Sequence, residues 1–445
     1  MHLTGWGRYP AVAAEVTAPG NADSLTQILA AQGSEARLIA RGAGRSYGDS
    51  ALAQRVLSSR YLDNFISLDA EDGSIRCDAG VTLAEVLKLC VPHGLFPAVV
   101  PGTKFVSIGG AIAADIHGKN HHVDGSFCDH VIDVTLALAS GEVVTCSPDS
   151  NSELFHATCG GMGLTGVILA ARLKLEKVPS ASINTVSAAA SNLDESLALL
   201  SEYSDKKYVV AWVDCLARGD ALGRGIVHIG NHSDSGELKH RESRKLSVPF
   251  TTPGFLLNRF TMSTFNQLYY SRYSSGTNTK QQYYDKFFFP LDSINHWNRL
   301  YGRKGFLQYQ FLLPDEAATS GLKQILEAVS SAGKGSFLAV LKRFGAANKN
   351  LLSFPARGVT LTLDFKYEPE LLPLLDELDA MVLDHGGRIY LAKDARMSEE
   401  TFKRCYPNWE EFKKKKDEVD PNCLFASLQS DRLGLTRANV GSSAS

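Results

Sequence analysis

The sequence predicts an α+β chain of two domains, and three observations carry that expectation. Its 445 residues exceed the size at which one hydrophobic core stops growing. Up to residue 179, short strand-like runs alternate with helical patterns around glycine-rich turns. Between 180 and 387 the glycine clusters thin out and longer strands and amphipathic helices take over.

In chain order, Ser24 to Gln32 has the spacing of an amphipathic helix with Asn21 or Asp23 as its cap, and Ala36 to Ala40 reads as a strand. A turn follows at once, Arg41-Gly-Ala-Gly-Arg-Ser-Tyr-Gly-Asp49. Strands are expected at Phe65 to Leu68 and Ser74 to Cys77, a helix at Thr82 to His93, and a second glycine cluster at Pro101 to Gly110. Val131 to Leu138 and Val143 to Cys146 flank a hairpin turn at Ser140-Gly141. In the second domain the expected strands include Tyr208 to Trp212 and Phe306 to Leu313, and the expected helices Ala317 to Ser331 and Leu371 to Asp384. The polar, tyrosine-bearing stretch 230–286 is weakly periodic and reads as a mobile lid. Glycine-marked chain returns at Gly386, so 388–433 is expected to rejoin the first domain, with 434–445 a disordered tail.

A net charge of −2 provides no field for gripping a polyanion, so nucleic acid is not an expected partner. The eight cysteines are scattered, without metal-ligand spacing, and suit a reducing compartment. Met1 to Pro10 lacks the pattern of a signal peptide and no segment has eighteen uninterrupted apolar residues. The expected location is cytoplasmic, or peripheral at the inner membrane.

Glycine allows close backbone approach and positive φ, so that consecutive amides can converge on a pyrophosphate. Three such turns in 170 residues suggest a large phosphate-bearing cofactor, although any one alone could be simple chain reversal. Gly161-Met-Gly-Leu-Thr-Gly166 fits the dinucleotide fingerprint, but a helix-like stretch precedes it and a strand-like one follows, the reverse of the required context. Asp115-Ile-His-Gly-Lys-Asn-His-His122 suits a metal poorly, and its imidazoles better suit hydrogen bonds to an anionic, heteroaromatic cofactor. No metal is expected.

Together these strings resemble the FAD domain of the vanillyl-alcohol-oxidase superfamily, and within it the decaprenylphosphoryl-β-D-ribose 2-oxidase family. The likeness runs from Gly5-Trp-Gly-Arg8 to about Leu433. It includes Gly160 to Gly166, Gly305 to Gln310, Leu352-Ser-Phe-Pro355, Ala392-Lys-Asp394, Val419-Asp-Pro421 and Phe425-Ala-Ser427. The resemblance implies a PCMH-type FAD-binding fold with a central substrate domain built on an antiparallel sheet flanked by helices. It implies a flavin lined by Ala40, Arg41, Gly42, Ala43, Gly44, Arg45, Ser46, Tyr47, Gly48 and Asp49 of the first turn. Gly102, Thr103, Ser107, Ile108, Gly109 and Gly110 would follow from the second, then His117, Gly118, Lys119 and Asn120, with Ile168 and Tyr390. Many superfamily relatives attach flavin through a histidine in the first turn. The corresponding residue here is Arg45, which cannot form that bond, so FAD is expected to be non-covalent.

The implied reaction oxidises the C2 hydroxyl of a polyprenylphosphoryl-β-D-ribose to the 2-keto sugar, the first half of an epimerisation to arabinose for cell-wall biogenesis. An NAD(P)H-dependent keto-reductase would be the partner. Lys393 resembles the family's active-site lysine, against the competing reading of a solvated surface lysine. Gln308 and Gln310 alternate on one strand and share a face. Tyr47 could stack near the flavin or be a buried structural tyrosine, and His117 completes the expected catalytic set.

At the substrate pocket this chain departs from the family. A cysteine known there as the point of covalent inhibitor attack is Thr362, an asparagine is Thr360 and a tyrosine is Phe288. The basic run Lys239 to Lys245, followed by Phe250, Phe255, Leu256, Leu257 and Phe260, could meet a membrane surface or be a solvated face. An oxidase of a free alditol or aldonolactone is the alternative. A non-catalytic flavin-binding scaffold would have no use for Lys393 and the glutamine pair.

Overall fold

The computed structural model describes residues 1–33, 36–241, 246–253, 257–273, 276–336 and 338–436. The first domain carries two sheets. Glu15–Thr17, Arg55–Ser58 and Ile39–Arg41 form a three-stranded parallel sheet with Arg55–Ser58 in the middle. Helix Ala22–Ala30 covers it with Leu25 and Leu29, and the Asn21 side chain caps the helix by accepting from the Ser24 amide at 2.8 Å. The second sheet is antiparallel, ordered Val143–Cys146, Val131–Ala137, Val167–Lys177, Ser74–Asp78, Phe65–Asp69, with Leu95–Pro97 paired to the end of the long strand. Helix Leu83–Cys90 begins at a capping box between Thr82 and Glu85.

The second domain is one eight-stranded antiparallel sheet. Its order is Asn278–Tyr283, Ser182–Ala190, Gly225–His232, Tyr208–Val213, Ala339–Phe344, Gly358–Lys366, Phe306–Leu313, Arg388–Ile389. Period-two alternation divides its strands between two environments. Leu307, Tyr309, Phe311, Leu341, Leu361 and Leu363 enter the core with helices Asp315–Ala332 and Leu371–Asp384. Gln308, Gln310, Val340, Lys342 and Thr362 emerge on the opposite face, bordering a large cavity.

The chain then returns to the first domain. Leu38 and Phe425 form a parallel bridge, the Leu38 amide donates to the Leu424 carbonyl at 2.7 Å, and the Leu428 amide donates to the Leu52 carbonyl at 2.8 Å. That pairing occupies Leu38, which is why the strand expected at Ala36 to Ala40 begins only at Ile39.

The stretch 230–286 is more regular than its weak periodicity suggests. It holds the end of strand Gly225–His232, helix Arg259–Ser271, edge strand Asn278–Tyr283 and the start of helix Tyr284–Phe288. The edge strand reads NTKQQY, without apolar alternation, because its side chains face solvent or the polar cavity. The helix is signalled by its cap, Asn258 with Thr261, rather than by an apolar stripe. Glu242 to Lys245 of the basic run, together with Phe255 and Leu256, lie outside the described residues. The same holds for 437–445 of the expected tail, whereas Leu435 and Thr436 at its start are buried.

Candidate active site

The cavity, about 830 Å³, is walled by both domains and by the returning segment. One wall is backbone. The turn 40–47 interlocks with the turn at 107–110, since a Cβ on Gly42 would lie 2.0 Å from the Ser107 hydroxyl. Ser107 caps the short helix Ile108–Ala113, accepting from the Gly110 amide at 3.3 Å. A Cβ on Gly102 would meet nothing within 4 Å. Met162, Gly163 and Gly166 of the reversed fingerprint border the same cleft, Met162 and Gly163 at φ +54° and +79°. A string disfavoured as a nicotinamide site thus contributes to this one, and its cluster of glycines was the available signal.

The turn carrying His117 is held from behind by Asp115, buried at φ +36°. Its carboxylate accepts from the Cys128 amide at 3.0 Å, from Asn348 and Asn350 at 2.8 and 2.9 Å, and from the Ser353 hydroxyl at 2.6 Å. Ser353 belongs to Leu352-Ser-Phe-Pro355, and Phe354 beside it stacks on Tyr390 with ring centroids 4.7 Å apart. The Tyr390 hydroxyl donates to the Ala114 carbonyl at 2.9 Å.

A chain of hydrogen bonds fixes the His117 tautomer. The Thr360 hydroxyl donates to the Phe311 carbonyl at 2.7 Å, so its oxygen accepts from Gln310 Nε2 at 3.2 Å. The other Gln310 amide hydrogen points to His117 Nε2 at 2.9 Å, which must accept. His117 is therefore neutral with its proton on Nδ1, in line with burial pushing its pKa well below the usual histidine range. Nδ1 is buried and has no partner among the described residues. A buried donor left unmatched costs about 1–3 kcal/mol. An acceptor on a heteroaromatic cofactor would satisfy it, so this orphan, the glycine cradle and the open space at Gly102 fit FAD.

The other wall is side chain. Gln308 Nε2 donates to Asp364 Oδ1 at 2.5 Å, and the Tyr301 hydroxyl reaches the same carboxylate at 3.3 Å. Burial raises the Asp364 pKa to about 7. Lys393 enters the cavity with Nζ 4.1 Å from the centre of the Tyr47 ring, and burial lowers its pKa to about 8. Tyr47 packs edge-on against Phe306, and burial, then the Asp364 charge, push its phenol well up. Lys119 and Lys342 also border the cavity, with pKa values lowered chiefly by burial to about 8 and about 7.

Lys393, Gln308, Gln310, Tyr47 and His117 all border this one cavity, as do Phe288 and Thr362. The flavin-lining set does too, with four exceptions. Ile108 is in the core, and Asn120 spends its amide on the Ala98 carbonyl at 2.7 Å and on Asp124 at 2.6 Å. A Cβ on Gly48 would lie 1.8 Å from the Asp394 carbonyl oxygen, and Asp49 pairs with Arg432 at 2.8 Å. Thr360, expected at the pocket wall, lies one layer behind it and orients Gln310. Arg45 does border the cleft, with its guanidinium 4.4 Å above the Trp6 ring and Nε donating to the Phe105 carbonyl at 3.3 Å.

Sequence reasoning missed Lys342, Asp364, Asp115 and Arg432. Arg432 joins Asp49, at the end of the first turn, to Asp394, the neighbour of Lys393, at 2.8 and 2.9 Å. It thereby clamps the cofactor turn onto the lysine turn. Among the described residues, no group of three or more His, Cys, Asp or Glu could hold a metal, and no helix is long and apolar enough to cross a membrane.

Comparison with known proteins agrees with this geometry. A family of FAD binding domains matches residues 13–147, and a D-arabinono-1,4-lactone oxidase family matches residues 312–433. A cytokinin dehydrogenase 9 of Oryza sativa subsp. japonica is 32% identical over 38% of this chain and 34% of its own. An uncharacterized protein of Streptomyces coelicolor is 34% identical over 80% of this chain and all of its own. The decaprenylphosphoryl-beta-D-ribose oxidase of Mycolicibacterium smegmatis is 38% identical over 97% of both chains. Likeness of that extent, on a chain whose cleft fits FAD, means that it belongs to the decaprenylphosphoryl-β-D-ribose oxidase family of FAD-binding oxidoreductases.

Proposed function

We propose that this enzyme oxidises the C2 hydroxyl of a polyprenylphosphoryl-β-D-ribose to the 2-keto sugar. The observation that carries the reading is the single cavity in which the cofactor turns face Lys393 and the Gln308/Gln310 strand. FAD, when bound, supplies the two-electron acceptor. The chain does the rest. Lys393, with a pKa near 8, exchanges a proton close to neutrality and is placed to bind the substrate hydroxyl and accept its proton. Tyr47 stays protonated and supports the lysine through its ring. Gln308, braced by Asp364, and Gln310, braced by Thr360, present carboxamides to the sugar at fixed orientation.

Helix Arg259–Ser271 supports the lipid part of the reading. Tyr269 on its inner side borders the cavity, while Phe260, Phe265 and Leu268 are exposed outside. A prenyl chain leaving beneath this helix would meet an apolar surface suited to peripheral contact with a membrane. The reaction also asks for a keto-reductase partner, since the keto sugar must be reduced from the opposite face to become arabinose. Trapping the product with borodeuteride tests the position of oxidation: deuterium at C2 of ribose and arabinose is expected, and deuterium at any other carbon overturns the assignment.

A further inference from the structure

Most of the cations held away from solvent among the described residues are paired with carboxylates, while Arg41 and Arg45 of the first turn donate to backbone carbonyls instead. Lys104 pairs with Asp285, Arg224 with Asp214, Arg396 with Asp379, and Arg432 with Asp49 and Asp394. Lys119, Lys342 and Lys393 have no ion pair to a carboxylate among the described residues. Lys119 Nζ donates to the Phe288 carbonyl at 2.9 Å, Lys342 lies 5.7 Å from the Phe344 ring centre and Lys393 sits over Tyr47. The three arrive from separate elements: the turn after Ile116, the strand Ala339–Phe344 and the turn after Ile389. All three border the one cavity. The charged groups that act on them are few. Asp292 acts on Lys119 and Asp364 on Lys393, whereas Lys342 faces Lys119 and Lys393; of the histidines, His117 feels Lys342 and Lys393, His121 feels Lys342 and His228 feels Lys119. Three buried ammonium groups without a direct ion pair, and with Asp292 and Asp364 as the carboxylates that act on them, cost stability unless an anion arrives, and such an arrangement marks a binding site.

The substrate class argued above carries its phosphate on C1, the carbon next to the hydroxyl to be oxidised. An anion site must therefore lie directly beside the group that handles that hydroxyl. We infer that Lys119 and Lys342 form the phosphate subsite of this enzyme, holding the sugar's C1 phosphate next to Lys393. This rests on the prenylphosphoryl-sugar reading, and it assigns a specificity role to two residues that need take no part in the oxidation. Burial, joined at Lys342 by repulsion from Lys119 and Lys393, makes these lysines ready to lose protons near pH 7–8, so an arriving phosphate draws protons onto them. Affinity for phosphate accordingly weakens as pH rises through that range.

The test uses the FAD-loaded enzyme and its Lys342→Met, Lys119→Met and Lys342→Arg variants, with FAD content checked in each. Inorganic phosphate and geranyl phosphate, which has no sugar, are titrated while flavin absorbance is followed. Loss of one charged contact should weaken geranyl phosphate binding roughly 10- to 100-fold, with most of it restored by arginine. In flavin reduction by a short prenylphosphoryl ribose, the half-saturating concentration should rise by a similar factor while the limiting rate changes far less. Unchanged binding in both methionine variants overturns the subsite, as does binding of inorganic phosphate without geranyl phosphate. If geranyl phosphate binds in a Lys342-dependent way but the prenyl sugar is not oxidised, the subsite stands and the proposed reaction falls.

Discussion

The two walls of the cavity are built by opposite means. The cofactor wall is backbone: glycine turns at 42–48, 102 and 109–110 bring peptide groups within reach of a large ligand. The substrate wall is side chain, displayed at every second position of a sheet whose other face is core. A backbone wall is fixed in form by steric exclusion, because a Cβ at Gly42 or Gly48 collides with neighbouring turns. A side-chain wall can change residue by residue without disturbing the sheet, as at Thr362, whose side chain faces the cavity. On this account the backbone wall sets the cofactor, and the side chains of the sheet, with Lys119 and Lys393 from outside it, set the substrate.

The largest expected break between the walls is at Lys393. Lys393→Met should slow anaerobic flavin reduction roughly 10²- to 10⁴-fold while FAD remains bound. A rate within a few-fold of wild type would move proton handling elsewhere.

Next comes the clamp that ties the walls together. Arg432→Met leaves the Asp49 and Asp394 carboxylates, both buried, without their shared counter-charge. Breaking such a network costs on the order of 3 kcal/mol. The expected readouts are a lower melting temperature and, if FAD is held non-covalently as Arg45 implies, loss of FAD on gel filtration. Recovery with Arg432→Lys should be partial, because one ammonium cannot bridge two carboxylates as a guanidinium fork does. Full stability and FAD retention in the methionine variant would remove the clamp from the account.

The smallest expected effect lies on the substrate wall. Thr362→Cys should leave the melting temperature and flavin content nearly unchanged, since the side chain faces the cavity. It should also introduce a thiol open to covalent modification by nitro-aromatic inhibitors of the family, seen as an added mass on the intact protein. A wild-type enzyme modified at another residue would contradict the assignment of Thr362 to that position.

The same division explains what could be read from the sequence. Glycine turns leave a local trace, so Arg41 to Asp49 and Pro101 to Gly110 were legible, and so was the alternation of Gln308 and Gln310. Lys342 left none: in Ala339-Val-Leu-Lys-Arg-Phe344 it looks like an ordinary exposed strand residue, and only the sheet order brings it beside Lys119 and Lys393. Asp115 and Arg432 were missed for the same reason, because their partners lie more than 200 and 380 positions away, at Asn348 and Asp49. Gly48, Asp49, Ile108 and Asn120 were counted as cofactor contacts because they sit inside motifs, whereas the folded chain uses them to hold those motifs in place.

The central claim is that this cavity oxidises a prenylphosphoryl sugar, and anaerobic titration of the yellow enzyme tests it most directly. A short-chain polyprenylphosphoryl ribose should bleach the flavin, while free ribose, xylitol and an aldonolactone leave it oxidised. Bleaching by a free polyol or lactone instead, or by none of the four with FAD still bound, would contradict the account.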